Sequence, residues 1–256
     1  MSVSLLAAVV AMEWFFGYEE AVVAAQPYPD VYGIATYTAL SAGVYFLITL
    51  AFKLFAAQWN KSIEDKKKHL RGGRYAGYVC SMVNAIHMSV FSFEKLFYSG
   101  VADVSGNAFT MCCLLGYLFH DLFESLPEIK KTPSNTGHHL LGIGIVGTLL
   151  FSRICHAFIP HMVVMEFSTI LLDAMWFFRE HGQEANPLYK YTAMGFALSF
   201  LIVRVVWYPI LVYGIMTYQP AEWLGFPAVM RFGLIPALYF LQVFWFVKIV
   251  QLALKA

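Results

Sequence analysis

Seven apolar runs, each long enough to cross a lipid bilayer, leave this chain few ways to fold. In hydrocarbon every backbone N–H and C=O must be satisfied within the segment, so a span is a helix of roughly 20 apolar residues. Runs of that kind lie near 33–57, 76–98, 108–126, 138–156, 161–179, 191–217 and 229–252. The composition agrees: 59% of residues are hydrophobic and only 13% charged, too little polar surface for a water-soluble globule. The expected fold class is an all-α integral membrane protein with about seven transmembrane helices. The expected organisation is an N-terminal segment over 1–30 and one membrane domain over 31–256.

The stretch Leu5 to Phe16 is also apolar, yet it carries Glu13 and precedes Glu19 and Glu20, so it reads as an interfacial helix rather than another span. It has neither a basic start nor a small-residue cleavage site, which argues against a removed signal peptide. Lys61, Lys66, Lys67, Lys68, Arg71 and Arg74 follow the first span, and the positive-inside rule puts that loop in the cytosol. Alternation then places the 128–137 loop, with Lys130 and Lys131, and the 179–190 loop on the same side. A net charge of +1, with the basic residues gathered beside apolar runs, excludes nucleic acid as a partner. Cys80, Cys112, Cys113 and Cys155 fall in or beside apolar runs without metal-ligand spacing and read as reduced, packed thiols.

Titratable groups in hydrocarbon are costly, so each is expected to face the bundle interior, find a partner or line a wet cavity. Asn84, His87, Phe91 and Glu94 share one face of the second span. His120 and Asp121 lie near the cytosolic end of the third, and His138 and His139 open the fourth. Glu166, Thr169, Asp173 and Trp176 form a stripe along the fifth; the sixth carries Arg204 and Tyr208, and the seventh places Tyr239, Gln242 and Trp245 on one face. One cavity open to the cytosol is expected to collect His120, Asp121, His138, His139 and Asp173. Arg204 is expected to pair with Asp173 or Asp121. Adjacent helical residues point about 100° apart, so only one of His138 and His139 can serve as catalyst, as general base or nucleophile. His156, His161, His69 and His181 read as solvated or interfacial, and His87 as a packing histidine. No spacing suggests a metal site. Gly142, Gly144 and Gly147 read as positions of close helix approach.

Six of these pieces, taken in order, resemble a known family. Ser81 to His87 (SMVNAIH), Gly116 to Leu122 (GYLFHDL), His138 to Leu141 (HHLL), Glu166 to Trp176 (EFSTILLDAMW), Gly195 to Arg204 (GFALSFLIVR) and Leu241 to Ile249 (LQVFWFVKI) are similar to the TLC-domain membrane proteins. That group includes the ceramide synthases, and this chain has the length of its small members. The resemblance covers about 75–252. It implies six helices, the second to seventh spans, in a ring around a lipid tunnel, with the first span outside. It also implies an endoplasmic reticulum or other endomembrane location. In ceramide synthases the paired histidine belongs to the acyl-transfer centre, and His138 and His139 match that pair. Where those enzymes carry His-Asp-x-x-Asp, this chain reads Met165-Glu166-Phe167-Ser168-Thr169, which sets it apart from ceramide synthases themselves. Glu166 keeps one carboxylate, and Asp173 matches a later acidic position.

Two functions follow as expectations. In one, an acyl-CoA threads its tail into the tunnel for histidine-dependent acyl transfer or thioester hydrolysis. His138, His139, Asp121 and His120 are then catalytic, and Asn84, His87, Glu166, Thr169, Asp173, Trp176, Arg204, Tyr208 and Gln242 line the lipid site. In the other, the chain binds a membrane lipid or fatty acyl chain without turnover. No bound cofactor is expected beyond acyl-CoA as substrate. A transporter is disfavoured by the lack of an inverted repeat. The orientation is tested by a Ser62→Cys variant. With the plasma membrane permeabilised and the endomembranes sealed, a membrane-impermeant maleimide should label it from the cytosol, and labelling only after the endomembranes are opened would reverse the assignment.

Overall fold

The structure is a computed structural model describing residues 28–61, 72–99, 104–130, 133–155, 158–218 and 220–254. The N-terminal interfacial helix, the lysines of the 66–68 run, Arg71, His69, Lys131 and His156 lie outside the described residues. Among the described residues every regular element is helical. The order is α1 (Val31–Lys61), α2 (Gly72–Glu94), α3 (Val104–Ser125), α4 (Pro133–Ser152), α5 (Ile159–Val163), α6 (Phe167–Glu180), α7 (Pro187–Phe200), α8 (Trp207–Tyr218), α9 (Pro220–Gly225) and α10 (Ile235–Ala253).

Five continuous helical stretches are long and apolar enough to cross a membrane: Val31–Asn60, Gly73–Tyr98, Ile159–Glu180, Pro187–Thr217 and Met230–Ala253. This is an integral membrane protein. Helices α3 and α4 have 22 and 20 residues and are not among these five, α4 opening on Pro-Ser-Asn-Thr-Gly-His-His. Large apolar side chains such as Leu47, Leu54, Val90, Phe123, Phe240 and Leu252 are exposed around the outside, the surface that lipid solvates.

Local sequence explains where helices begin, end and widen. Asn186 caps α7, its side-chain oxygen accepting from Leu188 N at 2.9 Å, with Pro187 in the first turn where no N–H is needed. Helix α6 ends at Gly182, whose φ of +65° is the left-handed conformation that favours glycine. Residues 201–206 and 230–234 are π-helical, and each widened turn is followed closely by a proline, Pro209 and Pro236. A proline inside a helix lacks the N–H and crowds the carbonyl four residues back, Val205 or Phe232, so the preceding turn opens to accommodate the ring. The first of these turns carries Arg204.

Packing follows a definite succession. Helix α1 lies against α2 and, most extensively, α3; α3 packs on α2 and α4; α4 on α10; α10 on α7 and the 201–206 turn; α7 on α6; and α6 on α2. The α1–α3 contact is the tightest. A Cβ on Gly116 would come within 2.6 Å of Thr38 O and 2.8 Å of Ala42 N, both backbone atoms that cannot step aside. The close approach is therefore at Gly116. Gly142 and Gly144 meet only Leu118 and Leu234 side chains, and Gly147 meets nothing. Around Gly116, Ser41 donates to Cys113 O at 2.9 Å and Lys53 bridges Glu124 at 2.8 Å. Ahead of α1, Tyr28 donates to Leu150 O at 2.7 Å, and burial pushes its phenol up to about 12, so it remains a donor. The four cysteines are free thiols.

Gly116→Ala should destabilise the fold by about 1–3 kcal/mol through overpacking against backbone, whereas Gly147→Ala should be neutral. Thermal midpoints in detergent check both, and equal midpoints would mean that the α1–α3 approach is looser than described.

Candidate functional site

A guanidinium within a membrane-spanning helix must be surrounded by acceptors, and Arg204 is. Its Nε donates to Ser168 Oγ at 2.8 Å and Met165 O at 3.2 Å. Its Nη2 donates to Thr169 Oγ1 at 2.8 Å and Glu166 Oε1 at 3.3 Å, and Nη1 lies 3.5 Å from Gln242 Oε1. Thr169 in turn donates to Glu166 Oε2 at 3.0 Å, so the carboxylate is held on both oxygens. The acid that Arg204 finds is Glu166, not Asp173 or Asp121 as the sequence suggested. Asp173 sits one to two turns farther along α6, where it pairs with Ser81 of α2 instead.

Glu166, Arg204 and Gln242 form, with His138, the polar end of an internal cavity of about 110 Å³. The rest of its wall is apolar: Met111, Leu118, Ile145, Leu149, Tyr208, Leu211, Ile215, Phe226 and Leu238, among others. From His138 to Leu149 on α4, and from Arg204 to Ile215 opposite, the wall runs for roughly three helical turns, about 16 Å.

The two histidines part company as their helical phase requires. His138 lines the cavity and packs on Trp245 at 5.2 Å between ring centroids. His139 turns toward α3, with Nε2 2.7 Å from Asp121 Oδ2. That approach is off the N–H axis, a close contact rather than an aligned hydrogen bond. The rings stay neighbours at 5.4 Å.

His120 is not part of this group. It points to α1, sharing a 2.8 Å hydrogen bond with Thr49 beneath Tyr45 and Phe46. Asn84 is fully buried but does not line the cavity. Trp176 stacks on Tyr78 at 4.0 Å, nearer the end where α2 begins. His87 borders a different feature, an outward groove of about 490 Å³ on α2 with Val83, Val90 and Glu94. His161, expected to be interfacial, is 1% exposed and packs between Phe158 and Trp207. Among the described residues no group of His, Cys, Asp and Glu is placed to hold a metal ion.

The sequence reading missed Ser168, which holds Arg204, and Ser81, which holds Asp173. It also missed the role of Trp245 as the surface on which His138 rests. A usable signal was present for the first: Ser168 stands on the same α6 segment as Glu166 and Thr169.

Polar side chains at one end of an apolar cavity, inside a bundle of apolar helices, describe an integral membrane protein with a partly polar interior. The TLC domain family model matches residues 74–251, and the chain belongs to that family. No curated protein and no solved structure gives a significant match.

Arg204→Met strands the Glu166 carboxylate in the interior and should destabilise by about 3–5 kcal/mol. The double variant Arg204→Met, Glu166→Gln should recover most of that loss, measured by thermal midpoint in detergent. Additive losses would show that the two side chains are not coupled.

Proposed function

We propose that this protein is a histidine-dependent acyl-group enzyme, in which a long-chain acyl thioester such as acyl-CoA lays its tail in the cavity and its carbonyl beside His138. The observation that carries the reading is the position of His138. It is the one titratable imidazole on the wall of a cavity whose remaining length is apolar. A wall of about 16 Å matches in length an extended alkyl segment of roughly a dozen carbons, and the cavity of about 110 Å³ widens to take it.

Seven crossing helices, with α2, α3, α4, α10, α7–α8 and α5–α6 as a ring and α1 outside it, complete the proposal. The succession of packing partners, which returns to its starting helix, supports it. The end that holds His138 faces the cytosol in this reading, in keeping with the basic residues at 61–74, and an endomembrane supplies the acyl-CoA pool.

The chemistry balances with water or a hydroxyl acceptor. A neutral imidazole of His138 takes the acceptor's proton while the acceptor oxygen forms a bond to the thioester carbon, and the carbonyl electron pair moves onto its oxygen. When that pair returns, the C–S bond breaks and the thiolate leaves with the proton held by His138. His139, 5.4 Å from His138 between ring centroids and itself beside Asp121, fixes the place of the His138 ring. Glu166 is engaged by Arg204 and Thr169 and takes no proton in this scheme.

In nanodiscs with a long-chain acyl-CoA, His138→Ala should lower thioester cleavage by about 10²–10⁴-fold, the range for loss of a general base. His139→Ala and Asp121→Asn should cost about 10-fold, a smaller loss of positioning, and His120→Ala should act on stability alone. Equal activity of His138→Ala and wild type would overturn the reading. Lipid that co-purifies with an inactive wild type would leave a lipid-binding protein instead.

A further inference from the structure

Gln242 is only 1% exposed, yet it forms part of the cavity wall that carries His138. Its amide orientation is dictated by chemistry. Arg204 has hydrogens to give and nothing to accept with, so the amide atom 3.5 Å from its Nη1 must be the oxygen. The NH2 group therefore points the other way. Among the described residues no acceptor takes those two hydrogens, and the nitrogen is not among the fully enclosed polar atoms lacking a partner. It opens onto the cavity.

Its depth is suited to the reaction. Trp245 carries the ring of His138 at 5.2 Å, and Gln242 stands on the same face of α10, about one turn, or ~5 Å, farther in. A group lying between the imidazole and the apolar part of the wall passes the Gln242 amide. Arg204 spends its Nε and Nη2 hydrogens on Ser168, Met165 O, Thr169 and Glu166 and meets Gln242 through Nη1. Glu166 can only accept, whereas the Gln242 amide carries hydrogens that its contact with Arg204 does not engage.

We propose that the Gln242 Nε2 amide is the oxyanion donor of this site. It binds the carbonyl oxygen of an acyl thioester or ester and strengthens its hydrogen bond as the carbonyl electron pair moves onto that oxygen. Arg204 acts through Gln242, as the residue that holds the amide in register. The inference rests on the acyl-group reading for its substrate class, but carbonyl binding is measurable without turnover.

Two variants remove the donor differently. Gln242→Glu keeps the size and an acceptor for Arg204, and Gln242→Met fills the space with no polar atom. For both, kcat with acyl-CoA should fall about 10²–10³-fold, the usual loss of one oxyanion donor, with KM changed less than about 3-fold, as expected when the lost interaction belongs to the transition state. The second measurement uses a ketone analogue in which a methylene replaces the thioester sulfur, with a ¹³C carbonyl. Its infrared carbonyl band should move to lower frequency on binding wild type or His138→Ala, and should stay at its detergent position with either Gln242 variant. A band that shifts equally in the Gln242 variants, or an unchanged kcat, overturns the assignment. A wild type that shifts the band without cleaving thioester would overturn the reaction and leave Gln242 as a carbonyl-binding residue.

Discussion

One cation governs the interior of this protein. A guanidinium in hydrocarbon is stable only with its hydrogens taken by acceptors, and Arg204 recruits them from Glu166, Ser168 and Thr169, the Met165 carbonyl and Gln242. Those partners come from the α6 segment and from α10, so satisfying one charge draws three helical segments to a common point. The same arrangement neutralises Glu166 and fixes the face that Gln242 shows. With Arg204 and Glu166 paired, the polar end of the cavity presents no unpaired charge from these two, and suits a carbonyl rather than a free ion.

Backbone irregularity supplies the aim. The 201–206 turn is widened ahead of Pro209, and Arg204 lies within it. A regular helix would rotate that side chain differently relative to Tyr208, which reaches the Ile235 carbonyl at 3.0 Å, just beyond the second widened turn. Two prolines thus shape two helices where they meet the cavity. On the other side of the bundle the requirement is opposite, close and regular packing: Gly116 lets α3 touch the backbone of α1. The rigid pair α1–α3 then presents Asp121 to His139.

Much of this was legible in the sequence. The apolar runs predicted 33–57, 138–156 and 229–252, and the helices occupy Val31–Lys61, Pro133–Ser152 and Ile235–Ala253 with its preceding turn. Helix length in a bilayer is set by simple geometry, so composition reveals it. The polar stripe on α6 was likewise visible, because residues three and four apart must share a face. Partner choice was not. Arg204 could reach several acids by depth alone, and which it meets depends on rotation of α6 and on the widened turn, neither of which periodicity records. His120 and His161 were misjudged for the same reason: depth along the membrane normal is readable, but the facing helix is not. Asp121 and His120 are sequence neighbours, yet one serves His139 and the other Thr49.

The central claim is that an acyl chain occupies the internal cavity, with its carbonyl at His138 and its tail toward Phe226. Photolabelling of the purified protein with an acyl-CoA carrying a diazirine at the end of a chain of about a dozen carbons, followed by peptide mapping, tests it most directly. The account predicts crosslinks on Leu149, Ile215 and Phe226, competed by unlabelled acyl-CoA. Crosslinks confined to Val83, Ile86 and Val90, on the outward groove of α2, would contradict it.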